Sequence, residues 1–214
     1  MNKNLTEIIF ILDRSGSMHP LEADTIGGYN SFLDQQRELP GKVLLSTVLF
    51  DTQIDVLHDR ADIAKVPALT SADYSARGCT ALLDAVGGAI HHIGNVHKYA
   101  REEDRPAKTM VVITTDGMEN ASRRYDLARV REMIERQQNK YGWEFIFLGA
   151  NMDAVHEAGK FGISADSAVT FRADSEGVRA NFDAVCMAAA AVRATGSRGT
   201  AWRERIERTY KREG

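Results

Sequence analysis

The sequence predicts an α/β fold: a doubly wound, mostly parallel central sheet with one antiparallel edge strand and helices on both faces. Three observations carry this prediction. Apolar runs of strand length recur along the chain, helical patterns fill the gaps between them, and the runs are nearly continuous instead of alternating. A strand covered by helices on both faces buries both of its side-chain rows, so its apolar residues run on without polar interruption. Strands that alternate with helices then form a mostly parallel sheet.

In chain order, strands are expected at Glu7–Leu12, Val43–Phe50, Thr109–Thr114 and Glu144–Leu148, with a weaker one at Ala168–Arg172. Gln53–Leu57 follows Val43–Phe50 after only Asp51-Thr52. Two residues cannot make a parallel crossover, so this segment is expected to be an antiparallel hairpin partner at the sheet edge. Leu21–Glu38 carries Ile26, Tyr29, Phe32 and Leu33 at helical spacing, and Pro40-Gly41 stops it. Ala81–Ile93 is an apolar, glycine-containing helix, and Tyr125–Asn139 places Leu127, Val130, Met133 and Ile134 on one face. A last clear helix spans Ser175–Ala194, with Val178, Phe182, Val185, Ala189 and Val192 on its buried stripe.

The chain has 214 residues, enough for one large domain with a sizeable core. Its 43% hydrophobic and 27% charged residues are the balance of a soluble globular protein. With 27 Lys and Arg against 30 Asp and Glu, the net charge of −3 gives no general attraction to nucleic acid or to an anionic membrane. The run Ile8–Leu12 is too short for a membrane span or a signal-peptide core. Cys79 and Cys186 match no metal-binding spacing, and a reducing cytoplasmic location is expected. Residues 1–195 are read as one domain and 196–214 as a basic, amphipathic tail. From Arg193 onward seven Lys and Arg face three Glu, and Trp202, Ile206, Thr209 and Tyr210 share a helical face. That face suits a helix docked on its own domain, with engagement of another molecule as the alternative.

The stretch IIFILDRSGSMHP, residues 8–20, drives an apolar strand straight into Asp13, Ser15 and Ser17. Ser, Gly and Asp also make ordinary turns, so the rest of the chain must decide whether these groups have a task. In doubly wound sheets ligands bind beyond the carboxyl ends of the strands, where strand order reverses. Asp13 lies at that end of the first strand, and Asp116, in VVITTDG, at the same end of the strand running through Thr115. Asp13, Ser15 and Ser17 alternate by two, so an extended loop can aim all three at one point. Thr80, in RGCTALLDA, opens a helix after a long irregular stretch. Two carboxylates and three hydroxyls form a set of hard oxygen donors. Such a set suits Mg²⁺ or Mn²⁺ and argues against zinc or copper.

With these residues in hand, the chain resembles the von Willebrand factor A-type domain family. DRSGS matches the family's Asp-x-Ser-x-Ser motif, Thr80 its second-loop threonine and the TDG at 115–117 its third-loop aspartate, and the strand-helix order agrees over residues 5–195. The nearest likeness is to stand-alone bacterial or phage members. The resemblance implies a Rossmann-like fold and a metal-ion-dependent adhesion site, a non-catalytic module for protein–protein binding. By that pattern Ser15 and Ser17 ligate the ion, Thr80 binds directly or through water, and Asp13 and Asp116 act mainly through water. A partner protein's Asp or Glu completes the coordination. Neutral hydroxyls leave the ion electron-poor, and aspartates held behind them neutralise and orient the site.

Two alternatives belong to other classes. One is a Mg²⁺-dependent phosphohydrolase on a similar sheet edge. Dehalogenase-type enzymes of that kind need a second Asp two residues after the first, where this chain has Ser15, which cannot act as the general acid. No Walker loop, G-x-S-x-G or H-E-x-x-H occurs. The other alternative is a scaffold whose metal is purely structural. Among lesser features, His91, His92 and His97 are read as a solvated helix end, and Cys79 as a small buried residue instead of a redox sensor. Asn151 and Asp153 either line the rim of the site or cap a helix, and both readings stay open.

Overall fold

The computed structural model describes residues 1–211, without the side chains of Arg205 and Lys211; the last three residues of the basic tail lie outside the described residues. Six strands form one sheet: β1 (Asn2–Asp13), β2 (Lys42–Phe50), β3 (Ile54–Asp62), β4 (Pro106–Thr115), β5 (Glu144–Ala150) and β6 (Ala168–Phe171). Their order is β3-β2-β1-β4-β5-β6, all parallel except the edge strand β3, which pairs antiparallel with β2. This is the expected doubly wound α/β architecture. β1 and β3 are longer than the apolar runs suggested, because β1 starts at Asn2 and β3 continues through the polar residues to Asp62. No helix among the described residues is long and apolar enough to cross a membrane.

The continuous apolar strands feed two cores. From β1, Ile8, Phe10 and Leu12 join one cluster, while Ile9 and Ile11 join the other; Met110 and Val112 of β4 divide from Val111 and Ile113 in the same way. On the first face lie α1 (Glu22–Arg37) and α5 (Ser175–Thr195), which cross closely at Gly28. A Cβ there would meet the Phe182 ring at 2.1 Å, so only glycine lets the two helices approach. The second face is covered by α2 (Leu82–Tyr99), α3 (Leu127–Tyr141) and α4 (Ala154–Lys160). Val130 and Ile134 seat α3, whereas Leu127, expected on the same face, is exposed at its first turn.

The tail forms α6 (Glu204–Lys211), which packs against β6 and α5. Trp202 and Ile206 are buried in the first core, while Tyr210 is exposed. Burial of a large apolar side chain contributes roughly 1.5–3 kcal/mol, which anchors this segment.

Candidate metal centre

The strand order sets the location. The chain runs outward from β1 to β3 and then returns across β1 to β4, so order reverses between β1 and β4. The loops leaving those two strands diverge and open a crevice between them. Asp13 is the last residue of β1 and Asp116 follows the last residue of β4. Both therefore reach the same crevice.

The loop after β1 is fastened on several sides. Arg14 N–H donates to the Phe50 carbonyl at 2.8 Å, Gly16 N–H to Gly78 at 3.2 Å, and Arg77 N–H to the Arg14 carbonyl at 2.8 Å. The Tyr74 hydroxyl donates to the Asp13 carbonyl. With the backbone so held, the side chains converge. Ser15 Oγ lies 3.2 Å from Ser17 Oγ, and Ser17 Oγ donates to Asp116 Oδ1 at 2.6 Å. Asp13 Oδ1 accepts from Ser15 N–H at 2.6 Å, and Oδ2 accepts from Thr115 Oγ1 at 2.6 Å.

Thr80 arrives from the second face. Its N–H donates to Asn120 Oδ1 at 2.9 Å while Asn120 N–H donates to its carbonyl at 3.0 Å, a reciprocal clamp between the second and third loops. Its hydroxyl lies against Gly117, where an added Cβ would stand 2.8 Å from Thr80 Oγ1. Glycine at 117 is thus what lets the third loop close on the threonine. Glu119 accepts from Leu83 N–H at 2.8 Å, satisfying a free donor at the start of α2. Asp84 accepts from the N–H groups of Arg123, Arg124 and Tyr125. Burial alone would raise the Asp84 carboxyl, but these three donors outweigh it and hold it below the usual carboxylate range.

All five residues expected from the sequence therefore meet at one edge. Thr115, Gly117, Asn120 and Glu119, which position them, are read from the structure; a threonine that ends an apolar run carries no signal separating a site residue from a strand former. Asp13, Ser15 and Thr80 are buried, Asp116 is half-buried and Ser17 is exposed, so the crevice opens to solvent at Ser17.

The electrostatics are unbalanced. Burial pushes the Asp13 carboxyl up to about 6, against the lowering effect of its bonds from Thr115 and Ser15, and the Asp116 charge adds to the rise. Burial also raises Asp116, with the Ser17 hydroxyl only partly offsetting it. Neither carboxylate forms an ion pair among the described residues. The guanidinium groups on the loops fastened here are already engaged, Arg14 with Asp51 at 2.8 Å and with Asp55, and Arg77 with Asp51 at 3.0 Å. Two carboxylates, three hydroxyls and no basic partner fit a small divalent cation. Among the described residues no cluster of three or more His, Cys, Asp or Glu could hold a metal, so an ion at this edge would depend on the hydroxyls.

The lesser candidates resolve differently. Asp153 accepts from His156 N–H at 2.9 Å and caps α4. Asn151 takes a left-handed backbone conformation with φ of 50° and ties Ala173 N–H at 3.1 Å. Cys79 is exposed, not buried, because Gly78 turns the loop outward with φ of 67°. His97 is buried, not solvated: it lies 2.8 Å from the buried Glu7 and packs edge-on to Trp143. His91 and His92 remain on the exposed surface.

No family model and no curated protein matches the chain. Solved structures do. Proximal thread matrix protein 1 from the mussel byssus aligns with a TM-score of 0.61 at 13% identity, covering 86% of this chain and 48% of that one. A von Willebrand factor type A protein from Catenulispora acidiphila aligns at 0.58 and 18% identity, covering 86% and 42%. The ArnB paralog VWA2 from Sulfolobus acidocaldarius aligns at 0.52 and 14% identity, covering 84% and 44%. The chain thus spans less than half the length of each. One structure of the mussel protein has a zinc-occupied MIDAS motif. At these identities the likeness is one of fold.

Proposed function

We propose that this chain, which has the von Willebrand factor A-type fold, is a non-catalytic binding module that holds a divalent cation at the crevice between β1 and β4. One observation carries the reading: the buried carboxylate of Asp13 and the half-buried one of Asp116 share an edge with three hydroxyls, and no basic side chain compensates them among the described residues. Ser15, Ser17 and Thr80 would supply neutral oxygens to the ion, with Asp13 and Asp116 behind them. When bound, the ion supplies a positive centre that attracts an external carboxylate. Hard oxygen donors favour Mg²⁺ or Mn²⁺. The zinc-occupied motif of the mussel protein makes zinc a competitor to include in any titration.

The partner is then a protein that presents an Asp or Glu to the exposed side of the crevice, beside Ser17. Ser15 supports this reading over a phosphohydrolase, because its hydroxyl offers no general acid where one is needed. Two free cysteines suit a reducing, cytoplasmic location. The test is affinity capture on the immobilised full chain in Mg²⁺ or in EDTA. Proteins held by the wild type in Mg²⁺ should elute with EDTA and be missing from Asp116→Ala. The same proteins retained equally in EDTA would contradict a metal-bridged contact and favour a structural ion.

A further inference from the structure

The flank of the molecule, away from the crevice between β1 and β4, is also hollowed. Between α2, α3 and the amino-terminal end of β4 is a cavity of about 540 Å³, toward the end of the strands opposite Asp13 and Asp116. That volume is within the range of small-molecule pockets. Beside it, two glycines of α2 let Tyr125 and α3 close on that helix, and one of them, Gly94, lines the cavity. A Cβ at Gly87 would strike the Tyr125 ring at 2.6 Å, and one at Gly94 would meet Gln137 Nε2 at 3.1 Å.

The charge of the lining runs against that of the chain. Lys98, Arg105, Arg129, Arg136 and Lys140 all face the cavity, and no Asp or Glu does, although the whole chain carries −3. Arg129 pairs with Glu132 at 2.7 Å, outside the lining. The other four form no ion pair among the described residues. Arg105 is half-buried; its Nη2 donates to the Ala100 carbonyl, and its buried Nε has no hydrogen-bond partner. An unsatisfied guanidinium N–H in a cationic cavity is a donor in search of an anion. Tyr125, Tyr141 and Trp143 supply an aromatic wall.

We infer that this cavity binds a phosphorylated small molecule of nucleotide size, its phosphates held by Arg105, Arg136 and Lys140 and its planar body set against the tyrosines. Guanidinium groups match phosphate oxygens in pairs, and an ordinary cation cluster without carboxylates would repel itself if left empty of anions. The site is independent of the crevice between β1 and β4, because the two share no residue. It needs no divalent ion.

The test is calorimetric titration of the full chain with ADP, inorganic pyrophosphate and adenosine, each in EDTA. ADP and pyrophosphate should bind, with affinity falling as salt rises, and adenosine should bind far more weakly. Arg136→Gln with Lys140→Gln, both exposed and so expected to fold, should weaken ADP about tenfold or more, as loss of charge-assisted hydrogen bonds does. Arg105→Gln should weaken it separately. ADP should bind more tightly than pyrophosphate, and pyrophosphate binding as tightly as ADP would overturn the nucleotide-sized body. No binding of either phosphate, or equal binding by the double variant, would overturn the site itself.

Discussion

β1 buries two carboxylates, one at its middle and one at its carboxyl end, and the two are treated in opposite ways. Glu7, fully buried, receives Arg60 Nε and Nη2 at 2.8 and 3.1 Å and lies 2.8 Å from His97 Nε2. Asp13, equally buried six residues on, receives neutral donors alone, from Ser15 and the Thr115 hydroxyl. Charges enter a protein interior at a cost of several kcal/mol unless something compensates them. At Glu7 the chain supplies the compensation itself. At Asp13 it supplies neutral donors and places a second carboxylate nearby, leaving positive charge to come from outside. The difference separates a structural charge from a site.

The sharpest way to break the comparison is to unpair Glu7. Arg60→Met should destabilise the fold by about 3–5 kcal/mol, the usual consequence of removing one partner of a buried ion pair. The loss should be the same in Mg²⁺ and in EDTA, as read by denaturant unfolding. Asp13→Asn should move the other way. In EDTA at pH 7 it should stabilise the metal-free chain by up to about 3 kcal/mol, because the folded carboxyl titrates near 6 against 3.8 for the free group. A loss of stability in EDTA would mean that Asp13 is already compensated.

The pH dependence follows with its sign. Folded Asp13 holds its proton more tightly than the unfolded chain does, so its contribution favours the fold below pH 3.8, declines as pH rises through about 6 and then levels. The difference in stability between wild type and Asp13→Asn in EDTA should therefore grow over that window. Saturating Mg²⁺ or Mn²⁺ should flatten it, and metal affinity should fall as pH drops below about 6.

These contrasts explain what could be read from the residues alone. Asp13, Ser15 and Ser17 are legible because their side chains leave one strand at a spacing of two, and Asp116 because it ends a second parallel run. Parallel strands put their carboxyl ends together whatever their separation in sequence, so periodicity suffices to bring them to one edge. The Glu7 network has no such signal. It joins residues 53 and 90 positions apart, and Arg60 lies in the polar half of β3 that no apolar run marks. His97 looks like a solvated helix end for the same reason, since its partner is on a distant strand. The cavity beside α2 escapes notice because its cations come from three separate segments, each ordinary by itself.

A smaller effect sharpens the comparison from the metal side. At about ten times its Kd, an ion that binds only the native state adds roughly 1.4 kcal/mol. For a chain of this size that is a rise of about 3–6 °C in Tm. Arg60→Met should retain the rise on its lower baseline, whereas Ser15→Ala with Ser17→Ala should lose it while leaving the metal-free Tm nearly unchanged.

The central claim, that the edge between β1 and β4 holds a divalent cation through its hydroxyls, is tested most directly by counting the ion. The full chain, stripped with EDTA and exchanged into buffer, is titrated with Mn²⁺ and the free ion is followed by its electron paramagnetic resonance signal. One Mn²⁺ per chain should disappear from solution, be displaced by Mg²⁺, and fail to bind when Ser15 and Ser17 are both alanine. Absence of binding to the wild type, or one Mn²⁺ still held by the double variant, would contradict it.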